Sequence, residues 1–310
     1  MAPQAGGTGT KLDLITYNLR DYYYRQEYQR YGQVEEVLAG AVGARPAIVA
    51  VQELVGGEQS DTDGAIRRLA AATGLCCVLP DGRSAGVLGA HDRLALGLLW
   101  SPGIEPVPDS FHWQAEPFWH GFAAATFTVA GHRLAVASYH APPSAGRDRR
   151  PFEAEALSVA LTAATTCDRF LGGDFNAPSA SRRGDDGYYD PDPTDWVTDA
   201  DRARWGDDLP EVGYPTDWRS GELLQQAGWL DLAPMLEAPW EPTTGHWPTE
   251  RNGRRRLDRL YLRPGTAART DGSLPRSRVV GCRVHDSPLA REASDHLPFS
   301  CTIRIAADQR

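Results

Sequence analysis

The spacing of apolar and polar positions changes several times along the chain, and each change marks an element. LDLITYNL (12–19) alternates apolar with polar residues, which predicts a strand with one buried face. Residues 33–44 carry Val34, Val37, Leu38 and Val42 at helical spacing, and Arg45-Pro46 closes the run. AIVAVQEL (47–54) is continuously apolar, as in a strand covered on both faces. A helix starting at Asp61 or Thr62 holds Ile66, Leu69 and Ala70 and stops at Gly74. LALGLLW (94–100), AAATFTVA (123–130) and RLAVASYH (133–140) read as strands, the last two forming a tight hairpin after Gly131. An Ala-rich helical pattern over 150–166 leads into RFLGGDFN, and GELLQQAG (221–228) is a short helix capped by Ser220 or Thr216. RRLDRLYL (255–262), RVVGCRVH (278–285) and FSCTIRI (299–305) complete the strands. Residues 1–10 read as a disordered tail. Residues 181–218 form an acidic, Pro- and aromatic-rich insertion with little periodicity. With no Gly/Ser linker, the pattern predicts a single mixed α/β domain over 11–306.

Composition narrows the function. The net charge of −9 excludes broad, sequence-blind affinity for polyanions unless a local basic groove or a bound cation offsets it. Lys11 is the only lysine, so the positive charge is almost all arginine, which suits bidentate phosphate contacts. The five cysteines show no C-x-x-C spacing; they read as buried reduced thiols, with no structural zinc site. No apolar run is long enough for a membrane helix, and the reading is of a soluble cytoplasmic protein, a monomer.

Several strand-like runs end on unexpected polar groups. TYNL ends on Asn18, AVQEL on Glu53, SYH on His140, and LGGDFN on Asp174 and Asn176. RLDRLYL holds Asp258 inside an apolar alternation, and ASDHLPFS places Asp295 and His296 just before the last strand. Singly, each is an ordinary turn or surface residue. Together they supply carboxylates, imidazoles and carboxamides at strand ends, the groups that metal-assisted attack on a phosphate requires. Gly172 and Gly173 would let phosphate approach the backbone.

The ordered set TYNL, AVQEL, SYH, GGDFN, RLDRLYL and SDHLP resembles the endonuclease/exonuclease/phosphatase superfamily, the deoxyribonuclease I-like proteins, over nearly the whole chain. The resemblance implies a four-layer α/β/β/α sandwich of two mixed β-sheets flanked by helices. It implies a Mg²⁺ or Mn²⁺ ion with Glu53 as main ligand and Asn18 and Asp295 close by. Asp174 would position or deprotonate the attacking water, and Asn176 would orient Asp174 and bind phosphate. His296, paired with Asp258, would bind a phosphate oxygen or act as the base. His140 would stabilise the phosphate or assist the leaving group. Tyr139 stands where the family more often has Thr or Asn.

The expected substrate is a phosphodiester, DNA or RNA among the choices. Arg83, Arg93, Arg147, Arg149, Arg150 and the 254–256 arginines could form a phosphate track, and Arg93, Tyr139 and Arg256 are the expected substrate contacts. A small phosphorylated metabolite or lipid headgroup is the alternative. A non-catalytic binding protein on the same scaffold ranks last, because no catalytic position is substituted.

Overall fold

Alternation in the first strand, β1 (Thr10–Tyr22), puts Leu12, Leu14, Thr16 and Asn18 on one face and Ile15, Tyr17 and Leu19 on the other. Both faces are buried, because the computed structural model sandwiches this strand between a second sheet and a layer of helices. It describes residues 9–23, 28–91, 93–143, 148–161, 166–184, 187–192, 217–247, 253–266 and 278–305.

Helix α1 (Tyr28–Val42) returns the chain so that β2 (Ala47–Val55) lies parallel to β1. Helix α2 (Gln59–Thr73) follows and ends at Gly74, whose φ of 68° is the left-handed stop expected of glycine. Strands β3 (Gly86–Leu88) and β4 (Leu94–Trp100) extend this sheet beyond β2. On its other side lie β13 (Phe299–Ile305) and then β12 (Val279–Val284), giving six strands in the order β12-β13-β1-β2-β4-β3.

The second sheet repeats the plan. Strands β7 (Phe122–Val129) and β8 (His132–His140) form the predicted hairpin through Ala130-Gly131, and helix α3 (Arg150–Ala160) leads to β9 (Asp168–Asp174), parallel to β8. Strand β11 (Asp258–Arg263) flanks β9, with β10 (Leu230–Asp231) beyond it; β5 (Glu105–Pro106) and β6 (His112–Gln114) pair with β7. Among the described residues, the remaining helices are α4 (Arg219–Gln226), α5 (Leu232–Met235) and α6 (Pro288–Ala293).

The two sheets share an inner core that includes Leu14, Ala50, Leu98, Phe127, Val136, Phe170 and Leu260. Helices α1, α2 and α6 cover the outside of the first sheet, and α3 and α4 the outside of the second. This is the expected four-layer sandwich. Gly172 serves that packing: a Cβ there would lie 3.1 Å from Ala50 Cβ and 3.0 Å from Leu260 Cδ2. At Gly173 a Cβ would overlap the Tyr139 carbonyl oxygen. Both glycines therefore permit strand and sheet contact, which corrects the expectation that they admit phosphate.

Two further expectations change. Cys282 and Cys301 sit opposite each other on β12 and β13 and form a disulfide, so the reduced thiols are those of Cys76, Cys77 and Cys167. The 181–218 insertion lies largely outside the described residues, but its beginning is anchored. Ser179 N donates to Asp190 Oδ2 at 2.6 Å, and the Tyr189 hydroxyl donates to the Ala238 carbonyl at 2.8 Å. No helix among the described residues is long and apolar enough to cross a membrane.

Candidate active site

Parallel strands end at the same edge, and antiparallel neighbours begin there. The ends of β1, β2, β8 and β9 and the starts of β11 and β13 therefore share one rim of the sandwich. Register places His140, Asp174 and Asp258 in a single row across three strands. Strand parity turns all three inward, because Val136, Phe170 and Leu260 on the same faces line the inner core.

Parity would send Glu53 outward, since Gln52 faces inward and Val51 and Leu54 pack under the helices. A register shift between Gln52 and Leu54, with Glu53 at φ 58°, turns its carboxylate into the site. A bulge of this kind re-aims a side chain at local backbone cost. Asn176 likewise adopts φ 48°, and its backbone N–H donates to Asp174 Oδ1 at 2.9 Å. Its side-chain amide donates to the Ala141 carbonyl at 3.1 Å.

The Asn18 amide bridges the half-buried Glu53 and the buried Asp174, donating to Glu53 Oε1 at 2.9 Å and to Asp174 Oδ2 at 3.1 Å. Asp21 N donates to the other Glu53 oxygen at 3.2 Å. His140 Nε2 lies 3.5 Å from Asp174 Oδ2 and 3.8 Å from Glu53 Oε1. His296 Nε2 approaches the same Asp174 oxygen at 3.7 Å, while its Nδ1 bonds Asp258 Oδ2 at 2.7 Å. Ser294 fixes this corner: its hydroxyl donates to the Asn18 carbonyl and accepts from His296 N. Asp295 lies at the rim, 3.9 Å from Arg20 Nε, whose guanidinium stacks 3.7 Å over the Trp247 ring.

Charge follows from these contacts. Burial alone would raise the Asp174 carboxyl, but His296, His140 and the Asn176 N–H outweigh it and hold Asp174 below the usual carboxylate range. Burial would lower His296, but Asp258 and Asp174 outweigh it and raise this imidazole well above its ordinary value. Asp174 is thus an anion and His296 a cation. Burial pushes Glu53 upward, only partly offset by the histidines and Asn18. That is the condition of a carboxylate lacking a counter-charge. Glu53, His140 and Asp174 each offer one ligand atom, all within 4.8 Å of one another. Carboxylate oxygens are hard donors that suit a divalent cation, so the residues fit one.

Of the three expected substrate contacts, two are placed differently. Arg93 is exposed on the loop before β4, and its carbonyl accepts from Gly56 N beside the end of β2. Tyr139 is one residue from His140 and so faces the opposite side; it is buried, with its hydroxyl on Glu153 at 2.9 Å. Arg256 is buried and bound to Asp190 at 2.8 Å and to Asp231 through both terminal nitrogens. Neither Tyr139 nor Arg256 can touch substrate, because burial and partners consume their polar atoms. The arginine track is also reduced: Arg83 pairs with Asp81, Arg149 donates to the Pro117 carbonyl, and Arg150 donates to the Pro142 carbonyl. Arg147 lies outside the described residues.

Residues that the pattern did not single out support the site. Thr16, Gln52 and Ser138 form a hydrogen-bonded chain between the sheets directly beneath it. His120, from the loop before β7, stacks on His140 with ring centroids 4.0 Å apart and planes 16° apart. Burial, with a smaller contribution from His140, pushes His120 down to about 2, so it is neutral. In the sequence its signal is FHWQAEPFWHGF (111–122), an aromatic-rich stretch with two histidines and no regular period.

The sequence profile described as "Endonuclease/Exonuclease/phosphatase family" matches residues 15–296. No curated protein sequence matches the chain. Among solved structures, the chain is similar to humanized TDP2 from D. rerio (17% identity, TM-score 0.57, covering 95% of this chain and 99% of that chain). It is also similar to D. rerio TDP2 complexed with single-strand DNA product (15% identity, TM-score 0.57, 95% and 99% covered). A third is an endonuclease/exonuclease/phosphatase from Bacteroides vulgatus (13% identity, TM-score 0.60, 96% and 99% covered). At such identities the likeness concerns the fold.

Proposed function

This chain belongs to the endonuclease/exonuclease/phosphatase family, and from that premise we propose that it hydrolyses a phosphodiester with a divalent cation, Mg²⁺ or Mn²⁺, in a nuclease-like reaction. The observation that carries this reading is the convergence of Glu53, His140, Asp174 and His296 on one rim of the sandwich. Glu53 would be the main ligand of the cation, with Asn18 and Asp295 close by. Once bound, it would neutralise charge on a non-bridging oxygen and on the leaving oxygen.

The other roles belong to the chain itself. Asp174 stays ionised, and both its oxygens are oriented, by Asn176 N and by the Asn18 amide. It aligns the attacking water and takes its proton. His296, raised above its ordinary value and held by Asp258, donates to a phosphate oxygen. His140 stabilises the phosphate or the departing oxygen. Asn176 fixes Asp174 and lies within reach of the same phosphate.

Bis(p-nitrophenyl) phosphate and a single-stranded oligonucleotide, each with Mn²⁺ or Mg²⁺ and with chelator, test the proposal. Turnover is expected only with cation, and Glu53→Gln and His296→Ala are each expected to lower kcat by about 10²–10⁴-fold. Wild-type activity in both variants would overturn it. The single-strand DNA product in a TDP2 structure supports a nucleic-acid substrate. The net charge of −9 and the paired arginines support the second reading, a small phosphoester. Salt separates the two, since binding of nucleic acid weakens steeply as salt rises. A cytoplasmic, monomeric setting belongs to the same proposal. The Cys282–Cys301 disulfide opposes it, because such bonds persist in oxidising compartments; recovering the protein from cytosol with both thiols reduced would favour the cytoplasm.

A further inference from the structure

The two histidines of the site are held by different means. His296 is oriented by a 2.7 Å bond to Asp258. Among the described residues, His140 has no such partner. Its Nδ1 is buried without a hydrogen bond, and its Nε2 contacts of 3.5 and 3.8 Å are longer than ordinary hydrogen bonds. What meets the His140 ring is the flat face of His120, at a centroid distance of 4.0 Å.

We propose that His120 is a positioning residue for the reaction, fixing the His140 imidazole against Glu53 and Asp174 through ring stacking, as Asp258 fixes His296 through a hydrogen bond. This rests on the phosphodiesterase reading above for its kinetic consequence, but not for its geometry.

The segment carrying His120 is built as a rigid backstop. Trp119 N donates to Glu153 Oε1 at 2.7 Å, and the Trp119 carbonyl accepts from His91 N at 3.0 Å. Arg149 donates to the Pro117 carbonyl at 2.8 Å and stacks over Trp119. A Cβ at Gly89 would overlap the His120 carbonyl, so the neighbouring loop packs closely against this backbone. Glu153 also accepts from Tyr139, the residue before His140. Helix α3 therefore ties the residue before each member of the stack to one carboxylate. The His120 Nδ1 is itself buried without a partner.

The test compares His120→Ala, which removes the ring, with His120→Phe, which keeps a flat face without nitrogen. Kinetics with bis(p-nitrophenyl) phosphate are read beside the His140 ring resonances by NMR, assigned with His140→Asn. In His120→Ala, kcat is expected to fall about 10-fold or more, as for a misplaced catalytic group. KM is expected to stay within about two-fold, and the His140 resonances to move and broaden; His120→Phe is expected to restore kcat to within about three-fold of wild type. Should His120→Ala not fold, His120→Leu, which fills volume without a flat face, takes its place. Unmoved His140 resonances overturn the proposal, as does a His120→Phe loss equal to that of His120→Ala. If the wild-type protein cleaves no phosphodiester, the function above fails, while the resonances still decide the stack.

Discussion

Glu53 and Asn176 occupy left-handed backbone, where an L side chain is strained, and both point at the same acid–amide cluster. Strain of this kind is stored where chemistry requires a side chain off the regular pleat. The glycines beside Asp174 show the opposite economy, with a missing side chain serving packing. Gly172→Ala would push on Ala50 and Leu260 between the sheets, and a loss of about 1–3 kcal/mol is expected from overpacking. Gly173→Ala would strike the Tyr139 backbone, which cannot yield as a side chain can, so its loss should be larger. Urea midpoints measure both, and an unchanged midpoint for Gly173→Ala would contradict the close β8–β9 approach.

The β7–β8 hairpin turns on Ala130 (φ 48°) and Gly131 (φ 83°), the two left-handed positions of a type I′ turn. Ala130→Asn places the preferred residue there, and a gain of about 0.5–1 kcal/mol is expected, read as a higher Tm. Helix α3 supplies a pH-dependent element. Burial pushes Glu153 up to about 7 from an ordinary value of 4.5. Between these values the folded state holds a proton that the unfolded state has lost. Stability therefore falls as pH rises through this window and levels off above it, by up to about 3 kcal/mol. Glu153→Gln should flatten that limb of the Tm–pH curve; an unchanged slope would mean the carboxyl is ionised throughout. Most elements were legible because they are local: 94–100 and 299–305 match their strands, and Gly74 and Gly228 end their helices with φ 68° and 85°. The second helix begins earlier than its pattern suggested: Glu58 is the N-cap, and Asp61 stands at the third helical position, where its carboxylate accepts from Gly57 N and Glu58 N as one half of a capping box.

For the molecule as a whole, the proposed cation site would lie where the two sheets meet, since Glu53 comes from one sheet and Asp174 from the other. A ligand held there binds the folded state alone and so stabilises it by mass action, about 2.7 kcal/mol at 100 times its Kd. Mn²⁺ or Mg²⁺ should raise the Tm of the wild-type protein and leave that of Glu53→Gln nearly unchanged. An equal shift in both would place the cation elsewhere.

Strand periodicity, turn glycines and the polar residues closing apolar runs are properties of neighbours in the chain, so the element order and most of the candidate site could be read without coordinates. Contacts between distant segments could not. Arg256 looked free because Asp190 and Asp231, its partners, are remote in sequence. Tyr139 looked like a cleft residue because its strand's inward face is set by the opposing sheet. Cys282 and Cys301 meet through strand register, and His120 reaches His140 through a loop with no period of its own. Local pattern specifies which residues a strand carries to the rim. Packing between layers decides which way each one faces and what it meets.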